Sequence, residues 1–140
     1  RLEIKMIREK TNNPALNKII SSKEDVYECA KIVQDSDREK MFVLYLNRQN
    51  EVIGYEIAFI GTIEKCLASP REIIKMALLV NATGVILVHN HPSGQTNPSP
   101  DDIAITGTVK NGLKLVEIDL LDHIIIGEFE CLSLGEKGLL

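Results

Sequence analysis

The sequence predicts one domain of mixed α/β fold, a mostly antiparallel sheet with helices packed on it. Three observations predict it. Short apolar runs of strand length recur along the chain, two Ser-Pro pairs mark helix starts, and residues 41–60 read as a hairpin. Helices set among strands that pair in hairpins make a layered α/β domain. The 140 residues suit a single domain, 1–140, with no internal repeat and no linker fit to divide it. Hydrophobic residues make up 44% of the chain but aromatics only 4%, so the core rests on Ile, Leu, Val and Met.

The elements follow in order. Leu2, Ile4 and Met6 alternate with Glu3 and Lys5, which predicts an edge strand over 2–8. Thr11–Pro14 is a turn or loop. Ser22 with Asp25 is a capping box, and Val26, Cys29, Ala30 and Val33 form an apolar stripe, so a helix is expected over about 23–35. Met41–Leu46 is a buried strand, Asn47–Asn50 a turn, and Glu51–Ile60 the returning strand. Ser69, Pro70 and Glu72 start a second helix, with Ile73, Ile74, Ala77 and Leu78 at helical spacing. Gly84–Val88 is wholly apolar and central in its sheet. Ser99, Pro100 and Asp102 repeat the cap, and this helix is expected to end near Asn111 with Gly112 behind it. Leu113–Leu120, His123–Gly127 and Phe129–Leu134 are expected as three further strands.

Charge and cysteine usage narrow the class. The formal net charge of -4 argues against a dedicated nucleic-acid binder, although Arg1, Lys5, Arg8 and Lys10 crowd one end. A charged edge strand accounts for those as well as phosphate contacts do. Tyr27, Tyr45 and Tyr55 make no stacking platform for single-stranded nucleic acid. Cys29, Cys66 and Cys131 are odd in number and widely spaced, which points to a reducing compartment and a cytoplasmic location. With no signal peptide and no long apolar run, no membrane partner is expected. The chain starts at Arg1 and is compatible with being part of a longer protein. Exposed edge strands permit a homodimer.

The chemistry gathers in His89–Asp102, HNHPSGQTNPSPDD. Residues i and i+2 of an extended chain share a face, so His89 and His91 can reach one ion together. Asp102, in the first turn of the following helix, is the expected third ligand. Asp101 stands beside it, and the helix dipole alone would favour either acid there. Imidazole and carboxylate suit Zn²⁺, and three protein ligands leave a fourth position for water, as in catalytic sites. A solvated, Pro/Gly-rich loop is the plainer alternative. Ser99 can cap the helix or donate to a developing oxyanion. A zinc hydrolase also needs a base. Glu56 interrupts an apolar strand and is one choice, with Glu51, Glu64 and Glu72 as competitors on local grounds. His123 reads as a structural hydrogen-bonding residue at a strand start, or as a group near the site. Cys66 reads as a structural cysteine rather than a ligand, and Arg71 as an ion-pair partner or a substrate-carboxylate contact.

The pattern His89-x-His91, Ser99, Asp102 resembles the JAMM motif of the MPN metallopeptidase superfamily. The wider run resembles the RadC family: Glu56 to Thr62, Ser69-Pro70-Arg71-Glu72, His89 to Gly94, and Leu121-Asp122-His123. The resemblance covers nearly the whole chain from about Ser22. It implies a cytidine-deaminase-like, JAMM-type three-layer arrangement with zinc held by His89, His91 and Asp102. It implies Glu56 as the acid and base, and Ser99 as the partner of the tetrahedral intermediate. Many RadC-like proteins carry an N-terminal helix-hairpin-helix region, and this sequence shows none. The expected activity is hydrolysis of a peptide, isopeptide or related amide bond in an unidentified peptide or protein substrate. The alternatives are a small non-protein amide as substrate, or a non-enzymatic interaction module in DNA transactions or a protein assembly.

Overall fold

A computed structural model of the protein describes residues 1–3, 12–61 and 70–140. The strand expected over 2–8 falls mostly outside these residues, and Glu64, Cys66 and the Ser69 cap fall wholly outside them. The first helical segment is α1, Lys23–Cys29, begun by a reciprocal capping box between Ser22 and Asp25. A break at Ala30 separates it from the short α2, Lys31–Gln34. The single helix expected over 23–35 is therefore two pieces. Ala30, Val26 and Val33 still bury one stripe.

Strand β1, Lys40–Leu46, turns into β2, Val52–Ile60, as the hairpin pattern requires. Asn47 shapes the turn by accepting from the N–H groups of Gln49 (2.9 Å) and Glu51 (3.0 Å). Helix α3, Pro70–Leu79, leads to β3, Gly84–Asn90, every residue of which is buried. Helix α4, Pro100–Leu115, leads to β4, Asp119–Ile126, and then to the short β5, Cys131–Ser133.

Among the described residues, five strands form one sheet in the order β2-β1-β3-β4-β5. Of these pairs, β3–β4 is parallel and the other three are antiparallel. One face carries α1 and α2 over Phe42, Leu44, Leu46, Val88 and Ile124. The other carries α3 and α4 over Met41, Val43, Tyr45, Val85 and Leu87. Helices on both faces of one sheet make three layers, and the mixed, mostly antiparallel fold expected from the sequence is the fold observed.

Two expectations at the C-terminal side are corrected. Gly112 does not end α4, which runs on to Leu115. A Cβ at Gly112 would lie 2.6 Å from Ile74 Cδ1, so glycine serves close packing of α3 on α4. The helix stops at Glu117 (φ 60°), where Ile118 N donates to Leu113 O and Glu117 N to Lys114 O. That is a Schellman ending with Glu in place of the usual Gly, which is why the sequence hides it. Accordingly Leu113–Leu120 is not a strand, and the two strands expected around 113–127 are one. Strand β4 also holds an extra residue. Val85 pairs with Leu120 and Ile86 with Asp122, which leaves Leu121 as a bulge. Leu120 and His123 therefore face α3 and α4, while Ile124 faces α1.

Candidate metal centre

The centre forms where β3 leaves the sheet and α4 begins, beyond the carboxyl end of that strand, where α/β sheets commonly hold ligands. His89 lies inside β3 and is 1% exposed; His91 follows the strand. Both rings turn to the α4 face because they are two residues apart on extended chain. Asn90 turns to the opposite face and is also buried. Its Oδ1 accepts from Lys40 N (2.8 Å), and its Nδ2 donates to Arg38 O (3.0 Å) and Ser36 O (3.3 Å). The middle residue of the HNH triplet thus ties residues 36–40 to the end of β3.

His91 is fixed by the loop behind it. Its N–H donates to Ile126 O (2.9 Å), and its ring Nδ1 donates to Gln95 O (2.8 Å). A carbonyl can only accept, so the proton sits on Nδ1 and Nε2 faces inward. Gly94, at φ +82°, allows the loop its sharp turn. Asp102 comes from the first turn of α4. The capping box holds it: Ser99 N donates to Asp102 Oδ2 (2.7 Å), and Asp102 N donates to Ser99 Oγ (3.1 Å). Asp102 is 3% exposed, whereas Asp101 is less buried and is outside the cluster.

The three side chains converge. His89 Nε2 and His91 Nε2 are 2.8 Å apart. His89 Nε2 lies 3.2 Å from Asp102 Oδ1, and His91 Nε2 lies 3.3 Å from Asp102 Oδ2. A tetrahedral ion with bonds of about 2.0–2.1 Å spaces its ligand atoms about 3.3 Å apart. The two histidine–carboxylate distances are of that size, each to a different Asp102 oxygen, and the His89–His91 pair needs a small opening. The donor set also fits. His91 Nε2 and the carboxylate oxygens bring lone pairs into one buried space, where a cation relieves their repulsion. Burial opposes ionisation of Asp102, but in the metal-free site hydrogen bonds donated by the His89 and His91 rings, when a proton sits on Nε2, outweigh it and hold the carboxyl far below the usual range. Burial also disfavours a charged His91, and Asp102 with Gln95 O outweighs it, so its pKa is raised above 6.5.

The remaining expected residues are placed as follows. Ser99 is exposed at the rim, and its Oγ accepts from Asp102 N. Its hydroxyl proton is not used in that bond. Glu56 lies on the α3/α4 face of β2, opposite Val43, which in turn pairs with Leu87 of β3. It is two strands from β3, about 10 Å across the sheet, in the row of Leu87 and not of His89. Its Oε1 accepts from Tyr45 Oη (2.5 Å), so it is not in contact with the His-His-Asp group here. Burial, followed by that carboxylate, raises the Tyr45 pKa. Among its competitors, Glu51 accepts from Asn47 Nδ2 at the hairpin and Glu72 pairs with Lys75 at the surface.

Three contributors escaped the sequence reading or were misplaced by it. His123 is not at a strand start. It lies inside β4, fully buried, 2.7 Å from His89 Nδ1. Thr106, one helical turn after Asp102, meets the far side of the His123 ring at 2.5 Å. The spacing of four from Asp102 was its available signal. Gly127 backs the 91–96 loop so closely that a Cβ would lie 2.3 Å from Gly94 O, and nothing in the sequence marked it.

Comparison with known proteins agrees with this architecture. A family model described as a RadC-like JAB domain matches residues 20–139. A UPF0758 protein of Pelodictyon phaeoclathratiforme is 45% identical over 126 residues, covering 89% of this chain and 57% of the relative. UPF0758 protein YfjY of Escherichia coli is 47% identical over 104 residues, covering 74% of this chain and 65% of the relative. A UPF0758 protein of Methanosarcina mazei is 42% identical over 120 residues, covering 85% and 52%. The chain thus spans between half and two-thirds of the length of these relatives. Their names carry no activity. On the family match and on these identities, the chain belongs to the RadC family of JAB domains, within the JAB/MPN superfamily.

Proposed function

We propose that the domain is a zinc-dependent hydrolase of peptide, isopeptide or related amide bonds. The observation that supports it is the convergence of His89, His91 and Asp102 in one buried triangle of metal-ligand spacing. Two imidazoles and a carboxylate form the mixed N/O set that suits zinc and leaves a fourth position open. When bound, the ion would supply Lewis acidity, polarising the scissile carbonyl and lowering the pKa of water to about 7.

The chain's own groups divide the rest. His89, His91 and Asp102 would hold the ion. Ser99 keeps its capping bond and donates its free hydroxyl proton to the carbonyl oxygen as charge develops there. Glu56, turned off Tyr45 by rotation about its side-chain bonds, takes the proton from the attacking water. It then delivers that proton to the leaving amine, so the protons balance. Tyr45 in this scheme parks the carboxylate between turnovers.

The test uses zinc-loaded protein and a library of linear and lysine-branched peptides, cleaved in ¹⁸O-water and read by mass spectrometry. Wild type is expected to generate new ends carrying the label. Glu56→Gln is expected to keep zinc and lose turnover. Cleavage by Glu56→Gln at the wild-type rate would remove the role given to Glu56. Zinc-loaded wild type that cleaves nothing would remove the hydrolase reading and favour an interaction module.

A further inference from the structure

Behind His89 the structure holds a short chain of hydrogen bonds that no metal-binding motif specifies. It runs from the Asp102 carbonyl to Thr106, to His123, to His89. All of its links are buried. The direction of each bond follows from the first. Thr106 Oγ1 lies 2.6 Å from Asp102 O, the carbonyl one turn back in α4. A carbonyl only accepts, so the Thr106 proton is committed there. Toward His123 Nδ1, at 2.5 Å, Thr106 can then only accept. His123 therefore carries its proton on Nδ1. In a neutral ring the other nitrogen, Nε2, is then an acceptor, and it faces His89 Nδ1 at 2.7 Å. His89 must donate from Nδ1, which leaves its Nε2 with a bare lone pair aimed at His91 and Asp102.

Neutrality of His123 follows from its surroundings. Its hydrogen-bond partners are a hydroxyl and an imidazole, neither an anion. The ring is fully buried, where a charged imidazolium with no anionic partner is costly. Metal ligation by imidazole needs a nitrogen without a proton, and the bond made by the other nitrogen decides which one that is.

We infer that Thr106 and His123 are positioning residues that lock His89 in its Nδ1–H tautomer and so present Nε2 for metal ligation. The inference deepens the metal reading above and rests on it for its consequence. The lock itself is a property of the protein before any metal binds. One further feature agrees with it. His91 is locked in the same tautomer by a different device, the Gln95 carbonyl. Two unrelated parts of the fold thus prepare both rings alike, the loop after β3 for one and the α4–β4 pair for the other.

The test compares wild type, Thr106→Val and Thr106→Ser, with His123→Gln as a second route. Thr106→Val keeps the shape but cannot accept from His123 Nδ1–H, so His123 loses its reason to hold that proton. The metal-free proteins, labelled with ¹⁵N-histidine, are read by long-range proton–nitrogen NMR, which assigns the protonated nitrogen of each ring. Zinc affinity is read separately by competition with a chelating dye. Wild type and Thr106→Ser are expected to show His89 protonated on Nδ1. His123→Gln, whose carboxamide oxygen replaces Nε2 as acceptor, is expected to keep that tautomer. Thr106→Val is expected to shift His89 toward Nε2–H and to lose about 10–100-fold in zinc affinity. Wild-type protein with His89 protonated on Nε2, or Thr106→Val with the Nδ1–H tautomer intact, would overturn the inference. If the tautomers behave as expected and wild type binds no zinc, the lock stands and the metal reading falls.

Discussion

Replacing Gly127 with alanine tests how firmly the end of β4 holds the metal centre. The added Cβ would sit 2.3 Å from Gly94 O and 2.8 Å from Thr96 Cγ2. Ordinary carbon–oxygen contacts are no closer than about 3.3 Å, so the loop must retreat by about 1 Å. It is not free to do so quietly. Glu128 N donates to Gly94 O (3.1 Å), Gly94 N donates to His91 O (2.9 Å), and Gln95 O holds the His91 ring at 2.8 Å. A shift of Gly94 therefore reaches His91 Nε2, in a site where ligand distances tolerate about 0.2 Å. The expected loss is about 10–100-fold in zinc affinity. Overpacking should also lower the stability of the metal-free protein by about 1–3 kcal/mol. The assays are competition titration with a chelating dye and thermal unfolding followed by circular dichroism. Gly54→Ala is the control, since nothing lies within 4 Å of its added Cβ. A Gly127→Ala protein that binds zinc as wild type does would refute the coupling of this loop to the centre.

Other perturbations give further outcomes. Gly107 lies inside α4 with open space around its absent Cβ, so Gly107→Ala should stabilise the domain by about 0.5–1 kcal/mol, read by denaturant unfolding. Leu113 is fully buried against the α3/α4 face, and Leu113→Ala should cost about 2–5 kcal/mol in the same experiment. The raised His91 pKa sets a pH dependence. Below that pKa zinc must displace a proton, so affinity should fall about tenfold per pH unit, with the fall beginning above pH 6.5; calorimetry in buffers of different ionisation heat reads the released proton. In metal-free protein the same group contributes stability below pH 6.5 that is lost as pH rises through its folded pKa. The depressed Asp102 contributes stability present above about pH 4 and lost as pH falls toward its own folded value.

The His89-His91-Asp102 cluster was legible because each member obeys a local rule. An i, i+2 pair on a strand brings two imidazoles together, and a capping-box acid adds the carboxylate. The hairpin and the central place of β3 were legible from apolar runs and the asparagine-bounded turn. The long α4 was not, because its end is a Schellman motif closed by Glu117 instead of glycine, while a true glycine at 112 serves packing against Ile74. His123 was legible as a hydrogen-bonding residue or a group near the site, but its face of the sheet was not. Strict alternation from Leu120 would turn it toward α1, and only the bulge at Leu121 brings it under α4. The helix end is a local motif with an atypical residue at its turn, whereas the face of His123 is set by pairing with β3, which no window of sequence contains.

That bulge leaves β4 with one residue more than its alternation uses. Dropping Leu121 would join Leu120 directly to Asp122 in unbroken register with β3, and His123 would still lie beneath α4. The Leu121 side chain lies over Gly84, which pairs with Asp119 and has no Cβ; one there would meet Leu121 Cδ1 at 2.7 Å. Glycine at the mouth of β3 and the spare leucine are two halves of one accommodation. A version of this chain shortened by that single position would be free to carry a bulkier, better strand-forming side chain at 84 without disturbing the centre.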